Sequence, residues 1–280
     1  MSALTSVPTT PAMRHAGRFL LAAALMAPVA ARAQDRQSDA HAFSLDERVP
    51  QGAWIRVRNV NGGMRVTASN SDHVEVTATK RWRRGDPKDV TIDVKKGSDG
   101  SVLICAVWAN TETTCTENSY STHSHHDWDD HDRNDVAVDF DVRVPKGVKV
   151  GVWTVNGAVS VDGATSEVRA STVNGAVNAT SSGGPVQAGT VNGSVHAVMG
   201  RFDSDQDLNY RTVNGSVIVE FTGDIDADLE LSTVNGRFDT DWPVTITGRI
   251  DPRHLRVTLG KGGRRIRLET VNGNVELRKR

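Results

Sequence analysis

The chain is 280 residues long, with 25 glycines, two cysteines and 5% aromatic residues, and its 33 Lys and Arg nearly cancel 34 Asp and Glu. A mean hydropathy of −0.39 excludes a multi-span helical membrane protein, and the near-zero net charge lacks the basic footprint of a nucleic-acid partner. At roughly 100–200 residues per domain, the length allows one or two domains with a sizeable core.

Arg14, His15 and Arg18 form a basic region ahead of a 12-residue apolar run at 19–30, and Ala31-Arg32-Ala33 supplies a small-residue cleavage site before Gln34. The pattern predicts a cleaved export signal over residues 1–33. The apolar run is shorter than the roughly 20 residues a spanning helix needs, so no transmembrane segment is expected after cleavage. No cysteine stands at the cleavage site that follows it, which speaks against a lipoprotein. The mature chain keeps 30 basic against 34 acidic residues and is expected in the periplasm or at the cell surface. Residues 34–42 are polar and read as a linker.

Residues 43–150 read as an irregular series of strands. Alternating runs at 54–60 and 74–79 flank the turn Asn61-Gly62, and further runs follow at 90–94, 101–108 and 136–144. Lys80, Arg81, Arg83 and Arg84 precede a turn at Gly85-Asp86-Pro87. Cys105 and Cys115 are the only cysteines, and an oxidising compartment favours a disulfide between them. A zinc site competes with that reading, because histidines follow closely. Residues 110–135 read as a loop insertion carrying His123, His125, His126 and His131 among four aspartates. These ligand types suit Zn²⁺, Ni²⁺ or Cu²⁺, but no fixed ligand spacing is present. A solvated loop is the plainer reading, and no cofactor beyond this candidate divalent metal is expected.

From residue 151 a repeat takes over. Thr-Val-Asn-Gly begins at Thr154, Thr172, Thr190, Thr212, Thr233 and Thr270, in steps of 18, 18, 22, 21 and 37 residues. Its turns are Asn156-Gly157, Asn174-Gly175, Asn192-Gly193, Asn214-Gly215, Asn235-Gly236 and Asn272-Gly273, with Asn61-Gly62 a variant copy. Strand alternation is broken at each Asn-Gly, where glycine tolerates positive φ. Val155, Val159 and Val161 read as inward residues. The prediction is an all-β protein: a parallel β-solenoid with coils of about 20 residues. Stacked coils would place Asn156, Asn174, Asn192, Asn214 and Asn235 in an amide ladder. Since Asn-Gly is also a strong hairpin signal, an antiparallel meander or sandwich is the alternative.

The run Val-Pro-Lys-Gly-Val at 144–148 leading into Trp-Thr-Val-Asn-Gly, the run Gly-Arg-Phe-Asp-Thr-Asp-Trp-Pro-Val at 236–244, and the Leu-Gly-Lys-Gly-Gly and Leu-Glu-Thr-Val-Asn-Gly-Asn-Val-Glu-Leu blocks within 259–277 resemble the bacterial putative-adhesin family. The likeness covers residues 43–280. It implies an exported β-helix-like domain of unknown function and no established reaction. The His/Asp-rich stretch at 123–132 departs from the family's pattern.

Chemistry is sparsely signalled. Arg-Phe-Asp-Ser-Asp at 201–205 and Arg-Phe-Asp-Thr-Asp at 237–241, with Asp224, Asp226 and Asp228 between them, are carboxylates of the kind a β-helix polysaccharide lyase or hydrolase uses. They are also ordinary turn chemistry within a repeat. There is no G-x-S-x-G, no phosphate-binding motif and no dinucleotide fingerprint. Thr154, Thr172, Thr190, Thr212 and Thr233 read as an exposed file, the six tryptophans as core or cap packing, and Arg278-Lys279-Arg280 as charge guarding a strand edge. The sequence therefore predicts a non-enzymatic binding or structural module of the cell envelope, engaging an envelope protein or a glycan.

Overall fold

The computed structural model describes residues 42–109, 111–124, 134–200, 206–244, 251 and 253–280. The expected signal at 1–33 and the linker residues before 42 lie outside them. The protein is all-β. In chain order the strands are β1 (Ala42–Glu47), β2 (Trp54–Arg58), β3 (Met64–Ala68), β4 (Val74–Arg81), β5 (Val90–Lys96), β6 (Val102–Trp108), β7 (Thr111–Cys115), β8 (Tyr120–Ser124), β9 (Ala137–Val144), β10 (Lys149–Trp153) and β11 (Val159–Ala164). There follow β12 (Val168–Ser171), β13 (Val177–Ser181), β14 (Val186–Gly189), β15 (Val195–Met199), β16 (Leu208–Arg211), β17 (Val217–Phe221), β18 (Ala227–Ser232), β19 (Phe238–Thr240), β20 (His254–Leu259), β21 (Arg264–Glu269) and β22 (Val275–Lys279). One 3-10 turn, Pro87–Asp89, precedes β5.

The first sheet is ordered β1-β4-β9-β3-β11-β13-β15-β17-β22-β19 and the second β20-β18-β21-β16-β14-β12-β10-β2-β6-β5, with β7 and β8 a separate hairpin. From β10 to β17 the chain alternates between the sheets. From β10 to β15 each strand pairs in parallel with its counterpart one repeat later, so that Val150, Val168 and Val186 stand in one file and Val159, Val177, Val195 and Val217 in another. Here the repeats stack as coils, and a meander, which pairs neighbours in sequence, is not what forms. Antiparallel pairs close both ends: β1, β4 and β5 at one, β20 at the other.

Spatial order departs from chain order. β21 lies between β16 and β18, and β22 between β17 and β19. The last Thr-Val-Asn-Gly is thus inserted between the two that precede it in sequence. The variant copy also joins the stack, because β2 and β3 pair directly with β10 and β11.

The four residues of the repeat build its corner. Each threonine is buried, from 0% exposed at Thr154 to 6% at Thr190. Its hydroxyl donates to the glycine carbonyl of the neighbouring coil: Thr172 to Gly157 at 2.9 Å, Thr212 to Gly193 at 2.7 Å, Thr270 to Gly215 at 2.8 Å, Thr233 to Gly273 at 2.9 Å. The expected exposed threonine file is therefore corrected: an outward hydroxyl would leave those carbonyls unpaired. The valine that follows points outward instead, with Val191 38%, Val271 39% and Val234 49% exposed. Val155 is half-buried rather than inward, because the corner resets the alternation before Val159.

Asparagine amides run along the outside as a ladder of Nδ2–H···Oδ1 bonds of 2.7–2.8 Å in the order Asn61, Asn156, Asn174, Asn192, Asn214, Asn272, Asn235. Asn214 and Asn235 are consecutive in the repeat, yet Asn272 stands between them. Glycine completes the corner, since a Cβ on Gly175 would fall within bonding-range overlap of the Gly157 carbonyl. Between the sheets, Val168, Ala170, Val177, Ala179, Val186, Ala188, Val195 and Ala197 fill the narrow middle. Met199, Leu208, Tyr210, Phe221, Leu229, Leu231, Ile266 and Leu268 fill the C-terminal part. Tyr210 is wholly buried, and its hydroxyl donates to the Val186 carbonyl at 2.6 Å.

Gly175→Ala should cost about 3 kcal/mol, because backbone rather than a side chain must move. Gly189→Ala, whose Cβ would meet only Arg211 O at 3.5 Å, should change stability by under about 1 kcal/mol. Chemical denaturation of the two variants checks the contrast.

Candidate binding face

Strand alternation decides what the second sheet shows to solvent. In β2, Ile55 and Val57 are buried in the core, so Trp54, Arg56 and Arg58 face outward. In β10, Val150 and Val152 face in, leaving Lys149, Gly151 and Trp153 outside. Parallel register then lines these positions into rows. One runs Arg58, Trp153, Ser171, Gly189, Arg211, and the next runs Arg56, Gly151, Arg169, Gln187. Gly151 leaves room for its neighbours: a Cβ there would meet Arg56 Cγ at 3.1 Å and Trp54 Cε3 at 3.6 Å.

Trp54 carries three cations over its ring, Arg56 at 4.6 Å, Arg169 at 5.0 Å and Lys149 at 5.5 Å from the centroid. Glu167, 7% exposed, pairs with Arg169 at 2.8 Å and with Lys149 at 3.6 Å. Arg56 pairs with Glu117 at 3.3 Å. Arg58 has no carboxylate partner among the described residues. Its guanidinium donates to the Glu117 carbonyl, while its Nε is buried without a hydrogen bond. Burial and then the neighbouring Arg56 charge pull its pKa below the usual arginine value.

A wall bounds this face. The β7–β8 hairpin covers the outer side of β6, where Leu103 and Cys105 are buried with Cys115, and Val107 and Tyr120 pack against this cluster. Cys105 and Cys115 are joined by a disulfide with Cα atoms 6.4 Å apart. Tyr120 donates to the Ala106 carbonyl, and burial pushes its phenol up to about 12, so it stays a neutral donor. Its ring lies 5.3 Å from that of Trp153. Trp54 and Trp153 are therefore face residues rather than core packing. The readable signal was parity: Trp153 shares its phase with Lys149, opposite to Val150 and Val152.

The other candidates separate. His123 is exposed on β8, opposite Glu112; His125, His126 and His131 lie outside the described residues. No group of three metal-ligating side chains occurs among the described residues. Residues 201–205 also lie outside. Asp241 accepts from the Lys279 amide at 2.9 Å and from Arg278 at 3.2 Å. Asp224 accepts from Lys279 at 2.7 Å, Asp226 from the Lys261 amide at 2.8 Å, and Asp228 from Thr258 at 2.8 Å. These bonds hold Asp224, Asp228 and Asp241 below the ordinary carboxylate range, the reverse of what a general acid needs. Arg278 guards no open edge, since β22 is paired on both sides and Arg278 binds Asp239, Asp241 and Glu276. A second cleft, of about 440 Å³, is lined by Asp228, Glu230, Arg256, Thr258, Arg265 and Arg267. There Arg267 and then Arg256 hold Glu230 in its charged form.

Replacing Cys105 and Cys115 together should cost about 2–3 kcal/mol by loop-closure entropy and loosen Tyr120 from Trp153, read as a red shift in tryptophan emission. Acid should destabilise the C-terminal coils. A carboxylate with a depressed folded pKa stabilises above its unfolded value, about 4.3 for Glu230, and that contribution is lost as pH falls through the folded value. The thermal midpoint should therefore hold from neutral pH to about 5 and drop below it, with a shallower drop in Glu230→Gln.

No protein-family model matches the chain, and no curated protein does. Among solved structures, it is similar to a putative cell adhesion protein from Clostridium sporogenes ATCC 15579, at 10% identity and a TM-score of 0.50, over 85% of this chain and 100% of that one. A putative adhesin from Bacteroides fragilis NCTC 9343 aligns at 11% identity over 85% of this chain and 97% of that one, with a TM-score of 0.38, too loose to define a shared fold. The likeness to the clostridial structure is one of fold.

Proposed function

We propose that the protein is an exported, non-enzymatic, adhesin-like module of the bacterial envelope, which presents the outer face of its second sheet to an envelope protein or glycan. One observation carries this reading: a rigid parallel stack holds aromatic and cationic side chains in fixed rows beside a disulfide-anchored hairpin. The export pattern at 1–33 supports it, as does a disulfide, which suits an oxidising compartment. The Clostridium sporogenes protein of similar fold is named for cell adhesion. Among the described residues, the carboxylates of the polysaccharide-cleaving alternative, Asp224, Asp226, Asp228 and Asp241, are engaged in turn hydrogen bonds and ion pairs.

Expressed as the full chain in a bacterium, the protein should appear outside the cytoplasm with Gln34 as its N-terminus, and should sediment with envelope fragments. Recovery of the uncleaved chain in the cytoplasm would overturn export. Release of reducing ends or unsaturated sugars from polysaccharides by the purified protein would overturn the non-enzymatic reading.

A further inference from the structure

We propose that the trough on the second sheet, walled by Trp153 with Arg58 and running over Ser171 and Gly189 to Arg211, binds a segment of an acidic polysaccharide. The assignment rests on the binding-module reading and names its ligand class.

Three features converge on it. The first is shape. From Trp153 the row continues over Ser171 and Gly189 to Arg211, three strand spacings or about 14 Å. The floor is low because a Cβ on Gly189 would meet nothing nearer than the Arg211 carbonyl oxygen at 3.5 Å. The indole of Trp153 is half-buried, steadied by Tyr120, and offers a flat apolar surface of the kind that packs against a sugar ring.

The second is charge. Glu117 is matched to Arg56, and Glu167 to Arg169 and Lys149. Arg58 and Arg211, which bound this stretch of the row, have no carboxylate partner among the described residues; Glu269, next in register beyond Arg211, pairs with Arg267 at 3.4 Å. Arg58 in addition keeps a buried Nε without a hydrogen bond. Two guanidiniums without a carboxylate partner, one beside the aromatic plate and one across the trough, suit carboxylate or sulfate groups spaced along a chain, since their N–H groups donate charge-assisted hydrogen bonds to either.

The third is the absence of a free backbone edge beneath the trough. β10, β12, β14 and β16 are each paired on both sides. An extended peptide therefore finds no main-chain donors or acceptors to add to, which favours a glycan over an acidic peptide.

Affinity electrophoresis of the mature protein through gels containing polygalacturonate, heparin, dextran or poly-L-glutamate tests the assignment. Retardation by polygalacturonate or heparin, with dextran inert and poly-L-glutamate weaker, is the expected result. Trp153→Ala and Arg211→Ala should each weaken binding about tenfold. Because Trp153→Ala also removes a packing contact, Gly189→Glu is the decisive variant. It fills the trough with a repelling carboxylate over open space, and should abolish retardation while leaving the thermal midpoint near that of the parent. Unchanged retardation in Gly189→Glu, retardation by poly-L-glutamate equal to that by the glycans, or none by either glycan would each overturn the assignment. Absence of glycan binding in a protein that still sediments with envelope fragments would overturn the acidic-glycan ligand alone, and failure to sediment would overturn the broader reading.

Discussion

One close approach organises the molecule: the carbonyl of each corner glycine occupies the space that a Cβ would take on the glycine of the next coil. Only glycine can sit there, and the carbonyl so placed needs a donor, which the buried threonine hydroxyl of the neighbouring coil supplies. The asparagine amide is the remaining partner, able to donate to one neighbour and accept from another. Thr, Asn and Gly are therefore three parts of one inter-coil joint. Its repetition holds the coils in a single register from Asn61 to Asn235.

Register is what makes the candidate face possible. A one-residue slip would turn Trp153 and Arg58 into the core and Val57 and Val152 out to solvent. With the slip forbidden at each corner, side chains far apart in sequence, such as Arg58 and Arg211, come to stand in the same row. The hairpin adds what the coils alone lack, a raised boundary that shields Arg58 from water and steadies Trp153. Unmatched arginine at such a place is costly in the free protein, and a bound anion would relieve that cost.

Much of this was legible in the residues. The recurrence of Thr-Val-Asn-Gly predicted stacked coils, and the chemistry of asparagine predicted an amide ladder. What was misjudged turns on the corner. Alternation carried across Asn-Gly assigns Val155 inward and Thr154 outward, whereas the corner reverses the phase and the glycine carbonyls demand the hydroxyl. The place of Asn272 could not be read at all. A step of 37 residues looks like one missing copy in a linear series, and only pairing partners reveal that the final coil enters between two earlier ones. The Asp residues of the last coils resembled chemistry because turns and active sites draw on the same side chain. In the fold Asp241 and Asp224 fasten Arg278 and Lys279.

The placement of β21 and β22 bears on how the chain is made. Ribosomal synthesis delivers the N-terminal coils first, and a simple stack can grow behind them one layer at a time. Here the slot between β16–β17 and β18–β19 must stay open until residues 264–279 arrive. Strands that would otherwise seal against each other have to wait, edges bare, for β21 and β22 to emerge. Completion of the C-terminal coils is thus tied to delivery of β21 and β22, and a chain that stops short of them presents unpaired strand edges to whatever chaperone is nearest.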